Sequence, residues 1–310
     1  MLPLRAYVKH PRILFSSILR ECGTLFPDKW YLQMKYYLEM GNKLHLKNPK
    51  TFGEKIQWLK LYDRRPEYTV MVDKYAVKDY VANMIGSEYV IPNLGVWNRP
   101  EDINFNDLPQ QFVLKTTRGG GSCGVFLCKD KDLIDQEETI NRLKTALKYD
   151  IYKSFREWPY KNVPHRIIAE PYINNASQFN QDLTDYKFYC FNGVPTYCQV
   201  IKDRHTKETI DFFDMDWRHQ IFYGLNPVYG VVSDIEPAEI EPPKPIHYDK
   251  MKEMAHKLSV GLPFSRIDLY DTNARPLFGE ITLYPASGIG TFIPNEYNAI
   301  LGEMIKLPNR

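Results

Sequence analysis

The chain has 310 residues, of which 44% are hydrophobic and 25% are charged, so its composition is that of a globular protein and not of a disordered one. Its net charge of +2 excludes the strongly basic field that is typical of nucleic-acid-binding proteins. The five cysteines, with no CxxC pair among them, argue against a disulfide framework and a structural zinc site. We therefore expect a cytoplasmic protein with two domains, or with one domain and a movable lid.

The first 72 residues predict a helical region. Residues 13–19 form an apolar run that follows three basic residues and is too short to cross a bilayer. Two interpretations remain open: a helix packed on the protein body, or a basic helix lying on a membrane surface as a peripheral contact. Further along, Thr51 and Glu54 form a capping box that predicts the start of another helix.

A glycine-rich loop follows a short apolar run that ends in Lys115. Three consecutive glycines let a backbone approach an anion closely, and Lys115 and Ser122 add a charge and a hydroxyl donor. The loop lacks the Gly-Lys-Ser/Thr of a P-loop, and a strand rather than a helix is predicted after it, which excludes a dinucleotide fingerprint. The loop predicts either a hairpin folded over a nucleotide or an ordinary glycine hairpin.

Helices are predicted on either side of this hairpin, over about 73–85 and 136–148, and a strand over 166–170. The pattern then turns to β-structure. Asn192-Gly193 predicts a type I′ turn between two strands, and two further strand pairs are expected, 210–213 with 220–223 and 265–270 with 276–281.

On the last strand pair, alternation places Arg266 and Asp268 on one face, and Glu280 can meet them from the partner strand. Two carboxylates a few ångströms apart repel each other unless a cation lies between them. Either acid alone is better explained as a solvated charge beside a turn. The pair, together with the phosphate loop and Lys187, predicts a magnesium site.

Five ordered blocks make the chain resemble the TupA-like ATP-grasp proteins, which are associated with teichuronopeptide, capsule and other surface-polysaccharide biosynthesis. The resemblance covers roughly residues 45 to 300. The blocks are residues 51–59 (TFGEKIQWL), 73–77 (DKYAV), 112–115 (FVLK), 185–188 (DYKF) and 278–282 (FGEIT).

The resemblance implies an α+β chain with the ATP-grasp fold, in which two α+β subdomains clamp ATP. Residues 1–72 would form a helical N-terminal region and 73–110 an N-terminal ATP-grasp subdomain. Residues 111–170 would form a lid subdomain with the Gly-rich loop, and 171–310 a C-terminal ATP-grasp subdomain with the metal site.

The resemblance also implies roles for particular residues. Lys115 would contact phosphates, and Lys187 would be a second phosphate lysine or lie near adenine. Glu170 and the nearby backbone would hold adenine, and Asp182 or Asp185 would hold the ribose. Mg²⁺ would bind Asp268 and Glu280. The remaining nucleotide contacts would come from the loop and from the hinge, namely Arg118, Gly119, Gly120, Gly121, Ser122, Tyr172 and Ile173.

The leading functional interpretation is an ATP-dependent carboxylate–amine ligase that acts on a uronic-acid-containing polysaccharide or its precursor, with an amino acid or other amine as second substrate. Arg266 would stabilise the transferred phosphoryl group or bridge the two acids, and Arg204 would meet the acceptor carboxylate or lie in a solvated loop. Two alternatives are a glycosyltransferase, for which Asp214-Met215-Asp216 resembles a DxD motif, and an inactive nucleotide-binding protein.

Overall fold

The computed structural model describes residues 11–119, 124–173, 184–202, 208–226 and 236–309. The helices of these ranges are α1 (Pro11–Glu21), α2 (Asp28–Met40), α3 (Phe52–Tyr62), α4 (Glu67–Val72), α5 (Val77–Ile85), α6 (Gln136–Leu147), α7 (Ile151–Phe155), α8 (Tyr248–Ser259) and α9 (Tyr297–Met304). The strands are β1 (Gly95–Trp97), β2 (Phe112–Thr116), β3 (Val125–Cys128), β4 (Ile167–Pro171), β5 (Asp185–Phe191), β6 (Val194–Lys202), β7 (Thr209–Asp214), β8 (Tyr223–Asn226), β9 (Phe264–Asp271), β10 (Pro276–Thr282) and β11 (Thr291–Ile293).

The start of α3 confirms the predicted capping box. The hydroxyl of Thr51 accepts a hydrogen bond from the Glu54 backbone N–H at 3.3 Å, and the Glu54 carboxylate accepts one from the Thr51 N–H at 3.1 Å. Two N–H groups that the helix leaves without partners are thereby satisfied. The helix that was expected over 73–85 begins only at Val77, because the Asp73 backbone is extended (φ −78°, ψ 110°) and residues 74–76 form a turn. The Asp73 carboxylate pairs with Arg166, 2.5 Å away.

A four-stranded antiparallel sheet in the order β1-β4-β2-β3 contains the predicted Gly-rich hairpin. Lys115 pairs with Val125 on β3 and with Ile168 on β4. Apolar side chains of this sheet pack against α6 and form a core of their own, which includes Phe112, Leu114, Leu143, Ile167 and Ala169.

A five-stranded antiparallel sheet in the order β10-β9-β5-β6-β7 forms the second unit. The β5–β6 hairpin turns at Asn192 and Gly193, whose φ angles of 52° and 80° are those of the predicted type I′ turn. The larger core joins this sheet to α8 and to the N-terminal helices; it includes Phe52, Phe188, Tyr189, Phe264 and Ile267.

The expected pairing of 210–213 with 220–223 forms only next to the turn, where Phe213 pairs with His219 and the Gln220 N–H donates a hydrogen bond of 2.8 Å to the Phe212 carbonyl oxygen. The second strand, β8, pairs with β11 instead, with Thr291 opposite Asn226 and Ile293 opposite Tyr223. Phe222, just before β8, contacts both neighbours: its ring centroid lies 4.7 Å from that of Phe212 on β7 and 4.4 Å from that of Tyr297 on α9.

Within the described ranges, no helix has the length and apolar character needed to cross a bilayer; the longest of them, α2, has 13 residues.

Candidate active site

One cluster of charged residues joins the four-stranded sheet to α5. The Glu170 carboxylate on β4 is buried and lies 2.5 Å from the Nζ of both Lys115 on β2 and Lys78 on α5. Burial alone would raise the pKa of Glu170, but the charges of Lys115 and Lys78 outweigh it and hold that pKa below its ordinary value. The cluster therefore presents two ammonium groups that a single carboxylate holds at fixed positions.

A second cluster lies on the five-stranded sheet, around Asp268 of β9. The guanidinium of Arg266 forms a bidentate pair with the Asp268 carboxylate, with two N–O distances of 2.7 Å. Lys187 of β5 stands directly opposite Asp268 in the register and donates a short hydrogen bond to the same carboxylate. Burial raises the pKa of Asp268, and the attraction of Arg266 and Lys187 opposes this rise.

A β-bulge brings Glu280 next to this group. The register between β9 and β10 shifts between Phe278 and Glu280, and after the shift Glu280 stands opposite Asp268. A Cβ at Gly279 would come within 3.0 Å of the Asp268 carbonyl oxygen, so glycine permits this close approach of the strands. The predicted pair of acids is thus adjacent in the structure.

Three cations surround Glu280. Arg266 Nη2 lies 3.3 Å from one carboxylate oxygen and Lys74 Nζ lies 3.4 Å from the other. Burial would raise the pKa of Glu280, but Lys74, Arg266 and Lys187 hold it far below its ordinary value. The Thr282 hydroxyl is 3.3 Å from the carboxylate as well, and it accepts a hydrogen bond from Arg266 at 3.1 Å. Glu280 therefore stays ionised at neutral pH.

Lys74 connects the two units of the protein. Its ammonium donates a hydrogen bond of 2.6 Å to the carbonyl oxygen of Gly119, at the start of the Gly-rich loop, while it also pairs with Glu280. The Tyr270 hydroxyl lies among the same carboxylates: burial raises its pKa, and Asp185, Glu280, Asp268 and Glu170 raise it further. Gly119 at the start of the Gly-rich loop, the Glu170 cluster and the acid pair thus lie close together, around Lys74 and Tyr270.

The other predicted site residues have different placements. Asp185 is buried on β5, 3.8 Å from Lys187. Tyr172 and Ile173 follow the end of β4 directly and are half-buried. Arg118 precedes the loop, but its buried guanidinium pairs with Asp150 at 2.9 Å, so it is held within its own unit. Outside the described residues lie Gly120, Gly121, Ser122, Asp182 and Arg204.

Sequence reasoning missed Lys78 and gave Lys74 no definite role. Lys78 lies in the first turn of α5, whereas Lys74 lies in the turn that precedes this helix. Their spacing along the chain therefore gave no signal of a shared site. The structure separates their tasks, since Lys78 meets Glu170 and Lys74 meets Glu280.

The Asp214-Met215-Asp216 motif closes a turn after β7. The Asp214 carboxylate accepts hydrogen bonds from the backbone N–H groups of Asp216 at 2.9 Å and Arg218 at 2.8 Å. The Arg218 guanidinium lies within 3.8 Å of Asp214 and 3.5 Å of Asp216. The presence of Asp214 and Asp216 is therefore explained by the geometry of the turn and by a surface ion pair with Arg218.

Two α+β units, with a basic Gly-rich hairpin on one and an acid pair on the other, define an ATP-grasp protein. The family model described as TupA-like ATPgrasp matches residues 54–306. The chain therefore belongs to the TupA-like ATP-grasp family, as the sequence blocks indicated.

Solved structures give more distant likenesses. D-alanine–D-alanine ligase from Bacillus anthracis, complexed with ATP, is 18% identical, with 76% of this chain and 63% of that one covered and a TM-score of 0.41. The Helicobacter pylori enzyme of the same name is 16% identical, with coverage of 83% and 69% and a TM-score of 0.44. ATP-grasp ligase PsnB, complexed with precursor peptide PsnA2 and AMPPNP, is 13% identical, with coverage of 74% and 56% and a TM-score of 0.37. No curated protein matches the chain.

Proposed function

We propose that this protein is an ATP-dependent carboxylate–amine ligase, which forms an amide through an acyl phosphate and releases ADP. The observation that carries the proposal is the position of Lys74, which touches both the phosphate-loop backbone and one member of the acid pair. Lys115 and Lys78 add two positive charges beside the loop. Such an arrangement fits a triphosphate better than a neutral or cationic ligand.

The acid pair fits Mg²⁺. Asp268 and Glu280 supply hard carboxylate oxygens on adjacent strands, and Thr282 adds a hydroxyl oxygen. Because Arg266 and Lys187 contact both Asp268 oxygens, Asp268 would share its carboxylate between these cations and the metal. The remaining ligands of the ion would come from phosphate oxygens and water. When bound there, Mg²⁺ would neutralise charge on the transferred phosphoryl group.

In this reaction the protein mainly has to position the reacting groups, and it does not need to form a covalent bond with them. A substrate carboxylate oxygen attacks the γ-phosphorus, the bond to the bridging oxygen breaks, and ADP leaves. An amine nitrogen then attacks the acyl carbon, inorganic phosphate leaves with the C–O electron pair, and the nitrogen loses a proton. We assign Lys115 and Lys187 to the phosphates and Arg266 to the developing charge. The bidentate pair with Asp268 holds Arg266 in a fixed orientation.

The resemblance to proteins associated with teichuronopeptide and capsule supports a narrower proposal. The carboxylate would belong to a uronic acid of a surface polysaccharide or of its precursor, and the amine to an amino acid or amino alcohol. Arg204 is the proposed partner of the acceptor carboxylate, and Glu170, Asp185 and the backbone of Tyr172 and Ile173 are proposed to hold adenine and ribose.

A product assay tests the function. ATP and MgCl₂ are supplied with a panel of uronic acids and amines, and ADP, AMP and UDP are separated by chromatography. ADP that appears only when both substrates are present supports the ligase. Release of UDP from a sugar nucleotide would instead support the glycosyltransferase, and AMP would exclude the acyl-phosphate route.

Nucleotide binding is tested separately, by calorimetry on two loop variants. Lys115→Ala is expected to weaken ATP binding strongly, because a strand holds its charge in place. Arg118→Ala is expected to weaken it less, because Arg118 already pairs with Asp150. Unchanged ATP affinity in folded Lys115→Ala protein would show that the hairpin has no part in nucleotide binding.

A further inference from the structure

The hairpin of α1 and α2 displays apolar side chains to solvent. On α1, Leu14, Phe15 and Ile18 point outward, and Phe15 is 58% exposed, whereas Leu19 is buried against the body. Trp30, near the start of α2, is 65% exposed. The turn between the helices adds exposed Leu25 and Phe26. One short hairpin thus carries several large exposed apolar side chains, which is unusual for a surface that faces only water.

This exposed face belongs to an element that is firmly attached to the protein. The Arg156 guanidinium donates a hydrogen bond of 2.5 Å to the Gly23 carbonyl oxygen and lies 3.8 Å from the centroid of the Tyr31 ring. The Tyr31 hydroxyl donates a hydrogen bond of 2.8 Å to the Ser154 carbonyl oxygen. The exposed apolar side chains therefore lie on the outer side of a hairpin that is packed on the protein body.

The sequence concentrates positive charge in its first thirty residues, of which the first ten lie outside the described residues. Residues 1–30 contain five Lys or Arg and two Asp or Glu, a net charge of +3, so the other 280 residues carry −1 of the total +2. The basic residues are Arg5, Lys9, Arg12, Arg20 and Lys29. Positive charge that accompanies outward Phe, Leu and Trp side chains is the composition of helices that lie on anionic lipid.

We propose that this hairpin docks the protein on the surface of an anionic lipid bilayer, with the outer face of α1, the turn and Trp30 inserted at the headgroup level. Basic residues attract the surface, and apolar side chains bury area that otherwise faces water. The proposal does not depend on the ligase activity, because the hairpin precedes the matched residues 54–306 and contributes no residue to either charged cluster.

Vesicle co-sedimentation tests this proposal on the full chain without ATP. Vesicles of phosphatidylcholine alone are compared with vesicles that contain about 30% phosphatidylglycerol. The protein should sediment with the anionic vesicles, and binding should fall as salt is raised from about 0.1 M to about 1 M. Absence of binding to the anionic vesicles at low salt, or equal binding to the neutral ones, would overturn the proposal.

Matched variants distinguish binding through this hairpin face from non-specific hydrophobic adhesion and from an effect of net charge. Phe15→Glu is compared with Ile240→Glu, because Ile240 is also exposed (84%) but lies outside the α1–α2 hairpin. Lys29→Glu is compared with Lys129→Glu, since both residues are exposed and both changes alter net charge equally. We expect each hairpin variant to bind at least about tenfold more weakly than its control. Equal losses in variant and control would refute the assignment. So would light scattering that shows a dimer dissociated by Phe15→Glu, because a second copy would then cover the face.

Discussion

Replacement of Lys60 by methionine is expected to destabilise the protein by about 3–5 kcal/mol, although the change preserves side-chain volume. Lys60 lies on α3 with no exposed surface. Its ammonium donates hydrogen bonds to the carbonyl oxygens of Ser287 at 2.5 Å and Phe155 at 3.1 Å, and to the Gln57 side-chain oxygen at 3.2 Å. The Ser287 hydroxyl in turn donates a short hydrogen bond to buried Glu157.

The network holds a strained turn next to the candidate site. Ala286, Ser287 and Gly288 have φ angles of 46°, 52° and 62°, and the first two pay a steric cost because they carry a Cβ. The turn comes shortly after β10, the strand of Glu280. Such a conformation persists only where its surroundings determine it, and Lys60 supplies a central contact.

The size of the expected loss of stability follows from the buried groups that lose their partner when methionine replaces Lys60. Burial lowers the pKa of Lys60 and raises that of Glu157, and each charge opposes the shift of the other. Removal of the ammonium leaves Glu157 buried without its countercharge and the Ser287 carbonyl oxygen without its shortest donor. Leaving a buried hydrogen-bonding group without its partner typically costs about 1–3 kcal/mol, and Lys60 donates to three such oxygens, whereas an exposed pair contributes at most about 1 kcal/mol.

Urea unfolding followed by circular dichroism measures the difference. Lys144→Met is the control, because Lys144 forms an exposed pair with Glu101 at 2.9 Å. In the double variant Lys60→Met/Glu157→Gln, part of the stability should return, since the uncompensated charge is gone. A shift for Lys60→Met no larger than that of the control, at unchanged m-value, would refute the reasoning.

Three further results are expected. Glu280→Gln should abolish Mg²⁺-dependent ADP release while leaving the fold intact, and wild-type turnover across a magnesium titration would remove Glu280 from the site. Gly288→Ala should cost about 1–3 kcal/mol of unfolding free energy, because its Cβ would lie 2.7 Å from Ile56 at a φ of +62°; an unchanged urea midpoint would contradict this. The folded pKa of Glu170 lies below its ordinary 4.5, so its contribution to stability is complete above that pH and is lost as pH falls through the folded pKa. The stability difference between wild type and Glu170→Gln should therefore shrink on acidification, and a pH-independent difference would argue against the ion pairs with Lys115 and Lys78.

The sequence by itself determined the features that depend on neighbouring residues. The capping box fixed the start of α3, and Asn192-Gly193 fixed the β5–β6 turn. Period-2 alternation also placed Arg266 and Asp268 on one face of β9, whereas the bulge at Gly279 was needed to bring Glu280 opposite Asp268. These predictions succeeded because a short stretch of backbone contains its own hydrogen-bond partners and its own facing pattern.

Only the tertiary structure decided which distant residues meet. Strand β8 pairs with β11, about seventy residues along the chain, and not with β7, the strand that directly precedes it. Lys74 joins the phosphate loop to the acid pair across two separate units, and the Lys60 network ties α3 to a turn more than two hundred residues away. No local propensity encodes such contacts, since packing of the two cores brings these side chains together.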